Sequence, residues 1–265
     1  MSAPARSRHA HVFPSDWRVR AAKLVLLAYV LYAASTLELT WSRFVSGLGN
    51  GAVFLARMFP PQTAADKLEL LYAGVLESMQ IAVLATFVGV LLALPLGILA
   101  ARNLMPAGVS WAARGFIALC RSFHPVIVAI LFVKAVGFGA LAGALALIVA
   151  SLGFISKLFG EAVEEIDMKP VEAARAAGGS FLGVMALAVL PQVAARFIGF
   201  GSYQFDSNLR NSTMVGIVGG GGIGAPLFTA YQRFDYDFVL TILLTIIALV
   251  LATEAVTGRA RRLFQ

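Results

Sequence analysis

Cysteine is nearly absent: Cys120 is the only one in 265 residues. That count excludes a disulfide scaffold and a cysteine metal cluster. Histidine is scarce as well, and His9, His11 and His124 do not form the H-E-x-x-H spacing of a zinc hydrolase helix. No G-x-x-x-x-G-K-S/T run occurs, so the chain has no P-loop with which to hydrolyse ATP. The absence of low-complexity tracts removes collagen and disorder. Charge is the most informative shortage. Only 13% of residues are charged and 59% are apolar, where a soluble domain has about 25% and about 45–50%. Such a chain cannot cover its surface with polar groups, and the composition places it in a membrane.

What is present is a series of apolar runs near the length of a spanning helix, about 20 residues. They cover residues 24–37, 78–101, 115–136, 135–156, 181–205 and 238–253, with a turn expected near Gly137-Phe138-Gly139. The expectation is an all-α integral membrane protein with six transmembrane helices. The net charge of +7 does not argue for nucleic acid, because the cations sit in short clusters between apolar runs rather than on one soluble face. With the N-terminus in the cytoplasm, thirteen cations fall inside: Arg6, Arg8, Arg18, Arg20, Lys23, Arg102, Arg114, Lys157, Lys169, Arg175, Arg259, Arg261 and Arg262. Five fall outside: Arg43, Arg57, Lys67, Arg210 and Arg233. The positive-inside rule therefore predicts both termini in the cytoplasm.

Three segments follow. Residues 1–72 hold a cytoplasmic lead, the first helix and an external segment, in which residues 53–59 are expected along the membrane surface. Ala33-Ala34-Ser35 also fits a signal-peptide cleavage site; the anchor reading is preferred because about 23 residues precede the apolar run. Residues 73–257 form the transmembrane domain, and 258–265 a basic cytoplasmic tail. The stretch 211–232 lacks acidic and basic residues but contains six glycines and one proline. Backbone of that kind is tolerated at membrane depth only inside protein or beside a wet cavity, which makes it a candidate pathway. Its Gly219-x-Gly221-x-x-Gly224 spacing fails as a dinucleotide fingerprint, since no βαβ unit surrounds it.

One cytoplasmic loop, residues 157–180, is long. Pro170 suits a helix's first turn, Glu172-Ala173-Ala174-Arg175-Ala176-Ala177 favours helix, and Gly178-Gly179 stops it. Such a short surface helix is either a solvated connector or a segment gripped by a groove in another protein. The set Glu172-Ala173-Ala174, Gly178 and, twelve positions on, Leu190-Pro191 resembles the EAA loop of ABC importer permeases. Ala188 stands where that family pattern has isoleucine. A second block, Asp206-Ser207-Asn208-Leu209-Arg210-Asn211-Ser212-Thr213 leading into Val215-Gly216-Ile217-Val218-Gly219-Gly220-Gly221-Gly222-Ile223-Gly224, looks like the phosphonate-type permeases. There the usual acid is glutamate, and here it is Asp206. Arg121-Ser122-Phe123-His124-Pro125, Glu161-Ala162-Val163-Glu164 and Leu190-Pro191-Gln192 fit the same group over residues 70–257, although many relatives have an acid at the position of His124.

The resemblance implies a type I ABC importer permease fold with a cytoplasmic coupling helix, in which Glu172, Ala173, Ala174 and Gly178 engage a partner ATPase. It implies two copies of the chain, two P-loop ATPase subunits that hold the ATP and Mg, an external solute-binding protein and a phosphorus oxyanion as cargo. No cofactor is expected on this chain. Arg121, near the middle of a span, either gives positive potential to an anion path or makes a structural pair with Glu77 or Asp206; Arg196 carries the same two readings. His124 reads as a packed polar group, Glu77 and Gln80 as boundary residues. Asp206, Asn208 and Arg210, expected at the outer end of the fifth span, read as a gate closed by Ser212, Thr213 and Gly219, Gly220, Gly221 and Gly222, or as a local cap and ion pair. Gly139 and Gly143 form a G-x-x-x-G pair for close helix packing. An ion-coupled secondary transporter using Arg121, His124 and Glu77 as a relay is the alternative. No convergent nucleophile, base or metal set points to an enzyme.

Overall fold

The computed structural model describes residues 17–37 and 40–264, with side chains to 259. Arg6, Arg8, His9, His11 and the side chains of Arg261 and Arg262 lie outside the described residues. The chain divides into two compact units, residues 1–57 and 58–265. The first holds α1 (Trp17–Thr36) and α2 (Trp41–Arg57). α1 is apolar on every side from Leu24 to Ala34, the pattern of a span rather than of a surface helix. α2 is one-sided: Trp41, Phe44, Val45, Leu48, Ala52 and Leu55 recur at helical spacing, with Arg43, Ser46 and Asn50 opposite.

The second unit is all-helical among the described residues. Its elements are α3 (Ala65–Ala100), α4 (Ala107–Ser122), α5 (Pro125–Val136), α6 (Ala140–Glu164), α7 (Met168–Ala176), α8 (Phe181–Val184), a π turn (Met185–Val189), α9 (Leu190–Ile217), α10 (Gly224–Gln232) and α11 (Tyr236–Phe264). α3 and α6 pack along much of their length. The cause is a stripe of small residues on α3, Ser78, Ala82, Ala85, Gly89, Ala93 and Gly97, all buried and close to one turn apart. Side chains of this size bring two backbones together where lipid supplies no hydrophobic drive. A Cβ at Gly89 would strike Ser151, and one at Gly97 the Phe159 ring at 2.6 Å.

Among the described residues, five helices are long and apolar enough to cross a membrane, and a sixth reaches that length only if a broken pair is taken as one span. The apolar run 115–136, expected as one span, is α4 and α5 meeting at 87°. Pro125 explains the break. The residue before a proline is pushed out of helical geometry, and His124 adopts φ −67°, ψ 141°. Other spans are longer than their apolar runs. α3 begins at Ala65, inside the segment expected to be external, and α8 to α9 continues to Ile217 rather than stopping near 205. Polar side chains that look like terminators in a hydropathy reading are held inside the bundle by partners on other helices. The stretch 211–232 is the last turns of α9, a glycine turn and α10, so it is not a span.

Candidate functional site

At one end of the bundle, α6 gives way to α7. Asp167 caps α7, its carboxylate accepting from the Lys169 N–H at 3.0 Å. Gly178 ends it with φ 78°, and its N–H donates to the Arg175 carbonyl at 3.0 Å. A left-handed residue at this position suits glycine because a Cβ would be strained there. Val171 is fully buried against Phe159, Val163, Val184, Met185 and Val189. Glu172, Ala173, Arg175 and Gly178 face outward. The helix is therefore anchored by Val171, with Met168 and Ala174 half-buried beside it, and presents its opposite face.

The bundle centre carries a closed polar cluster. Asn208 on α9 donates to Thr86 on α3 at 2.9 Å and to Ser151 on α6 at 2.8 Å. Gln204, one turn earlier, donates to Ser151 and to the Asn208 carbonyl oxygen, each at 3.0 Å. Asp206 points elsewhere, taking the Thr257 hydroxyl of α11 at 2.9 and 3.1 Å, and Arg210 is exposed. Residues two apart on a helix lie on opposite faces. Asp206, Asn208 and Arg210 thus do not share one face, and Asp206 and Asn208 lie inside α9 rather than at the outer end of a span where the sequence placed them. Asp206 sits about three turns before the end of α9 and, with Asn208, ties α9 to α11 on one side and to α3 and α6 on the other.

At the other end of α9 lies the glycine loop. Gly219, Gly221 and Gly222 have φ of 94°, 77° and 76°, a region open to glycine and costly for other residues. The loop is bound from two sides. On α3, Glu77 accepts from the Gly222 N–H and Ser78 from the Ile223 N–H, both at 2.8 Å. On α6, Gly143 lies so close to the Gly220 carbonyl that a Cβ could not fit, and the Gly139 N–H donates to Gly219 at 2.9 Å. The glycine pair 139 and 143 therefore seats the loop rather than a helix. Ser212 is buried and turned to the Leu209 carbonyl at 2.7 Å; Thr213 is half-buried on the same turn. Beside the loop is a cavity of about 480 Å3 lined by Asp66, Lys67, Glu77, Gly222, Arg233 and Asp235. Lys67 and Asp235 pair across it at 2.6 Å. Burial alone would raise the Asp235 carboxyl, but the Lys67 hydrogen bond and charge hold it below its ordinary value.

A second, smaller cavity of about 170 Å3 runs between α4 and α6. Arg114, Arg121, Lys157 and Glu161 line it. Arg114 is held by Glu164 at 2.6 Å, and Lys157 meets Glu161 at 3.6 Å. Arg121 is exposed and makes no ion pair among the described residues, so neither Glu77 nor Asp206 is its partner. It stands in the last turn of α4, beside the break, rather than mid-span. His124, expected as a packed group, is an exposed cap of α5 that accepts from the Val126 N–H at 3.3 Å. Arg196 is paired with Glu165 at 2.6 Å, an ion pair of the kind its structural reading called for, though neither with Glu77 nor with Asp206.

Residues 93–264 match the family described as binding-protein-dependent transport system inner membrane component. The chain belongs to that family. It is a multi-pass inner-membrane permease, a transport component rather than an enzyme. It is 35% identical over 251 residues to the phosphite transport system permease protein PtxC of Stutzerimonas stutzeri, covering 94% of this chain and 90% of that one. It is 41% identical over 206 residues to the phosphate-import permease protein PhnE of Mycolicibacterium smegmatis, covering 77% of this chain; the match spans 38% of that longer relative. Among solved structures, the inward-facing MetNI methionine ABC transporter superposes with a TM-score of 0.67 at 23% identity, over 77% of this chain and all of that chain. At that identity the likeness establishes the type I importer permease fold.

Glu77 is the residue of the permease that sequence reasoning missed. It lies on the same helix as Asp66 and Glu69, where an acid near the start of an apolar run looks like a boundary, and its partner is 145 positions away. The G-x-x-x-G spacing and the glycine run were both visible, and a search for an acceptor to receive the run's N–H groups was the available signal. Gln192, seen only as part of a motif, is the second such residue: its carboxamide bonds to the backbone of Asp167.

Proposed function

We propose that the permease carries a small phosphorus oxyanion, a phosphonate or the smaller phosphite or phosphate, into the cytoplasm by alternating access driven by ATP. Two copies of the chain face each other across one path. Each presents α7 to one P-loop ATPase subunit, which holds the ATP and Mg, and an external solute-binding protein delivers the cargo. Both termini lie in the cytoplasm, so α7 and the α4–α6 cavity are cytoplasmic and the glycine loop faces outward.

The observation that carries this reading is α7: a capped helix with Val171 buried beneath it and Glu172, Ala173 and Arg175 exposed, on a chain without a nucleotide motif. A groove in a partner can grip such a surface and move it. The names of the relatives, a phosphite and a phosphate-import permease, support the cargo class. The exposed Arg121, at the rim of the α4–α6 cavity and in no ion pair among the described residues, supports a path for anions, since anion pores are lined by Arg or Lys. Glu172, Ala173, Ala174 and Gly178 are the docking residues, and the glycine loop, pinned by Glu77, is the outer gate. Asn208, Ser212 and Asp206 hold the helix that bears it, while Arg210 and Thr213 lie along its last turns.

The test is co-expression with the partner subunits, mild-detergent isolation and native mass spectrometry, followed by phosphite and methylphosphonate uptake into vesicles. Two permeases with two ATPases and ATP-dependent uptake are expected. Glu172→Lys and Gly178→Asp should leave the permease in the membrane but release or uncouple the ATPase, and Arg121→Leu should abolish uptake. Uptake that survives ATP depletion and collapses with the proton gradient would overturn the reading in favour of an ion-coupled transporter.

A further inference from the structure

The segment that leads into α7 is tied to α9 by side chains that docking does not use. Gln192, near the start of α9, aims its carboxamide at the backbone of Asp167. Its Oε1 accepts from the Asp167 N–H at 3.0 Å, and its Nε2 donates to the Asp167 carbonyl at 3.2 Å and to the Ala188 carbonyl at 2.6 Å. One side chain thus pairs with both polar backbone groups of the residue that caps α7. One turn on along the same face, Arg196 donates to Glu165 at 2.6 Å. The α6–α7 junction is therefore joined to the first turns of α9 at two points.

The position of these links matters because of what lies on either side. Between α8 and α9 the chain makes a π turn, in which the Leu190 N–H reaches back five residues to the Met185 carbonyl. Pro191, with no N–H of its own, follows at once. π turns and prolines are where a helix flexes. A push delivered to α7 and passed along the chain would have to cross that soft turn. Gln192 bypasses it and attaches α7 to the part of α9 beyond the defect. From there α9 continues about 40 Å at 1.5 Å per residue to the glycine loop held by Glu77 and Ser78.

We propose that Gln192, supported by Arg196, is a positioning residue that transmits the movement of α7 into α9 and so to the glycine loop. A carboxamide suits this place because the link needs a donor and an acceptor on one planar group, which neither a carboxylate nor an alkyl side chain supplies. The Arg196–Glu165 pair is exposed and weak by itself, which makes Gln192 the principal link. The inference rests on the proposed docking of an ATPase at α7.

The test uses the complete complex of permease, ATPase and binding protein in proteoliposomes, with methylphosphonate and phosphite as probes. Gln192→Glu keeps the shape and the acceptor but loses the donor; Gln192→Leu loses both. Both variants should retain the ATPase and its hydrolysis. Substrate moved per ATP should fall about tenfold in Gln192→Leu, equivalent to about 1.4 kcal/mol, and by less in Gln192→Glu and Arg196→Leu. A reading independent of cargo is hydrogen exchange at the Gly222 amide: nucleotide should alter it in the wild-type complex and not in Gln192→Leu. The proposal is overturned if both variants keep the wild-type ratio and the nucleotide response, or if they lose the ATPase, which would make Gln192 part of the dock. A wild-type complex that recruits no ATPase, or imports neither probe, counts instead against the function proposed above.

Discussion

Replacing Glu77 with leucine removes the acceptor that holds the Gly222 N–H at 2.8 Å. Gly222 is buried, so its amide would be left without a partner while the loop stays closed. Hydrogen bonds to charged groups contribute ~1.5–3 kcal/mol, and a half-buried carboxylate belongs near the lower part of that range, at ~2 kcal/mol. At 1.4 kcal/mol per tenfold, the loop's opening equilibrium should shift about thirtyfold. Amide hydrogen exchange reads local opening directly. The Gly222 amide should exchange about thirtyfold faster in Glu77→Leu, while amides of α6 such as Leu147 and Ile155, in the buried core, keep their protection. Glu77→Gln retains an acceptor but not the charge; with ~1 kcal/mol lost, its effect should be about fivefold. Ser78→Ala serves as a neighbouring control, since it frees Ile223 rather than Gly222. Unchanged Gly222 exchange in Glu77→Leu, or an equal effect in Glu77→Gln, would refute the reasoning that the carboxylate holds the loop.

Asn208→Ala should lower the unfolding temperature of the purified permease measurably, because it leaves Thr86, Ser151 and Gln204 facing one another without the group that joins them; a cost of at least ~2 kcal/mol is expected, and an unchanged melting curve would show that the cluster is not closed. The Lys67–Asp235 pair predicts a pH dependence. The folded carboxyl lies below its ordinary 3.8, so the pair contributes stability that is complete above that value and is lost as pH falls through the lower, folded one. Asp235→Asn should therefore lower thermal stability at neutral pH, with the difference from wild type disappearing only below about pH 4; a difference that vanishes nearer neutrality would contradict the assignment.

Much of the permease was legible from one-dimensional patterns. Composition placed it in the membrane, and apolar runs located its helices, because in lipid every backbone group must be satisfied within a helix and the side chains outside must be apolar. Helix α7 was legible for a local reason: its cap, its alanine-rich body and Gly178 are all within a dozen residues. Its exposed Glu172 needs no distant partner to be read.

The tertiary structure decided where polar groups go. Arg196, Asp206, Asn208 and Glu77 look alike in a hydropathy reading, as interruptions or ends of spans. Their roles depend on partners between 31 and 145 positions away, and a helix turns successive side chains to different neighbours. The same holds for the break at Pro125, which moved Arg121 from mid-span to the rim of a cavity, and for Gly143, whose missing side chain makes room for the carbonyl of Gly220. Sequence alone determined the apolar centres of the spans, the short helix α7 and the environment they enter, because those depend on neighbours along the chain. Which face meets which helix, and which buried donor finds which acceptor, was decided only by packing, since burying an unpaired polar group costs more than any local preference provides.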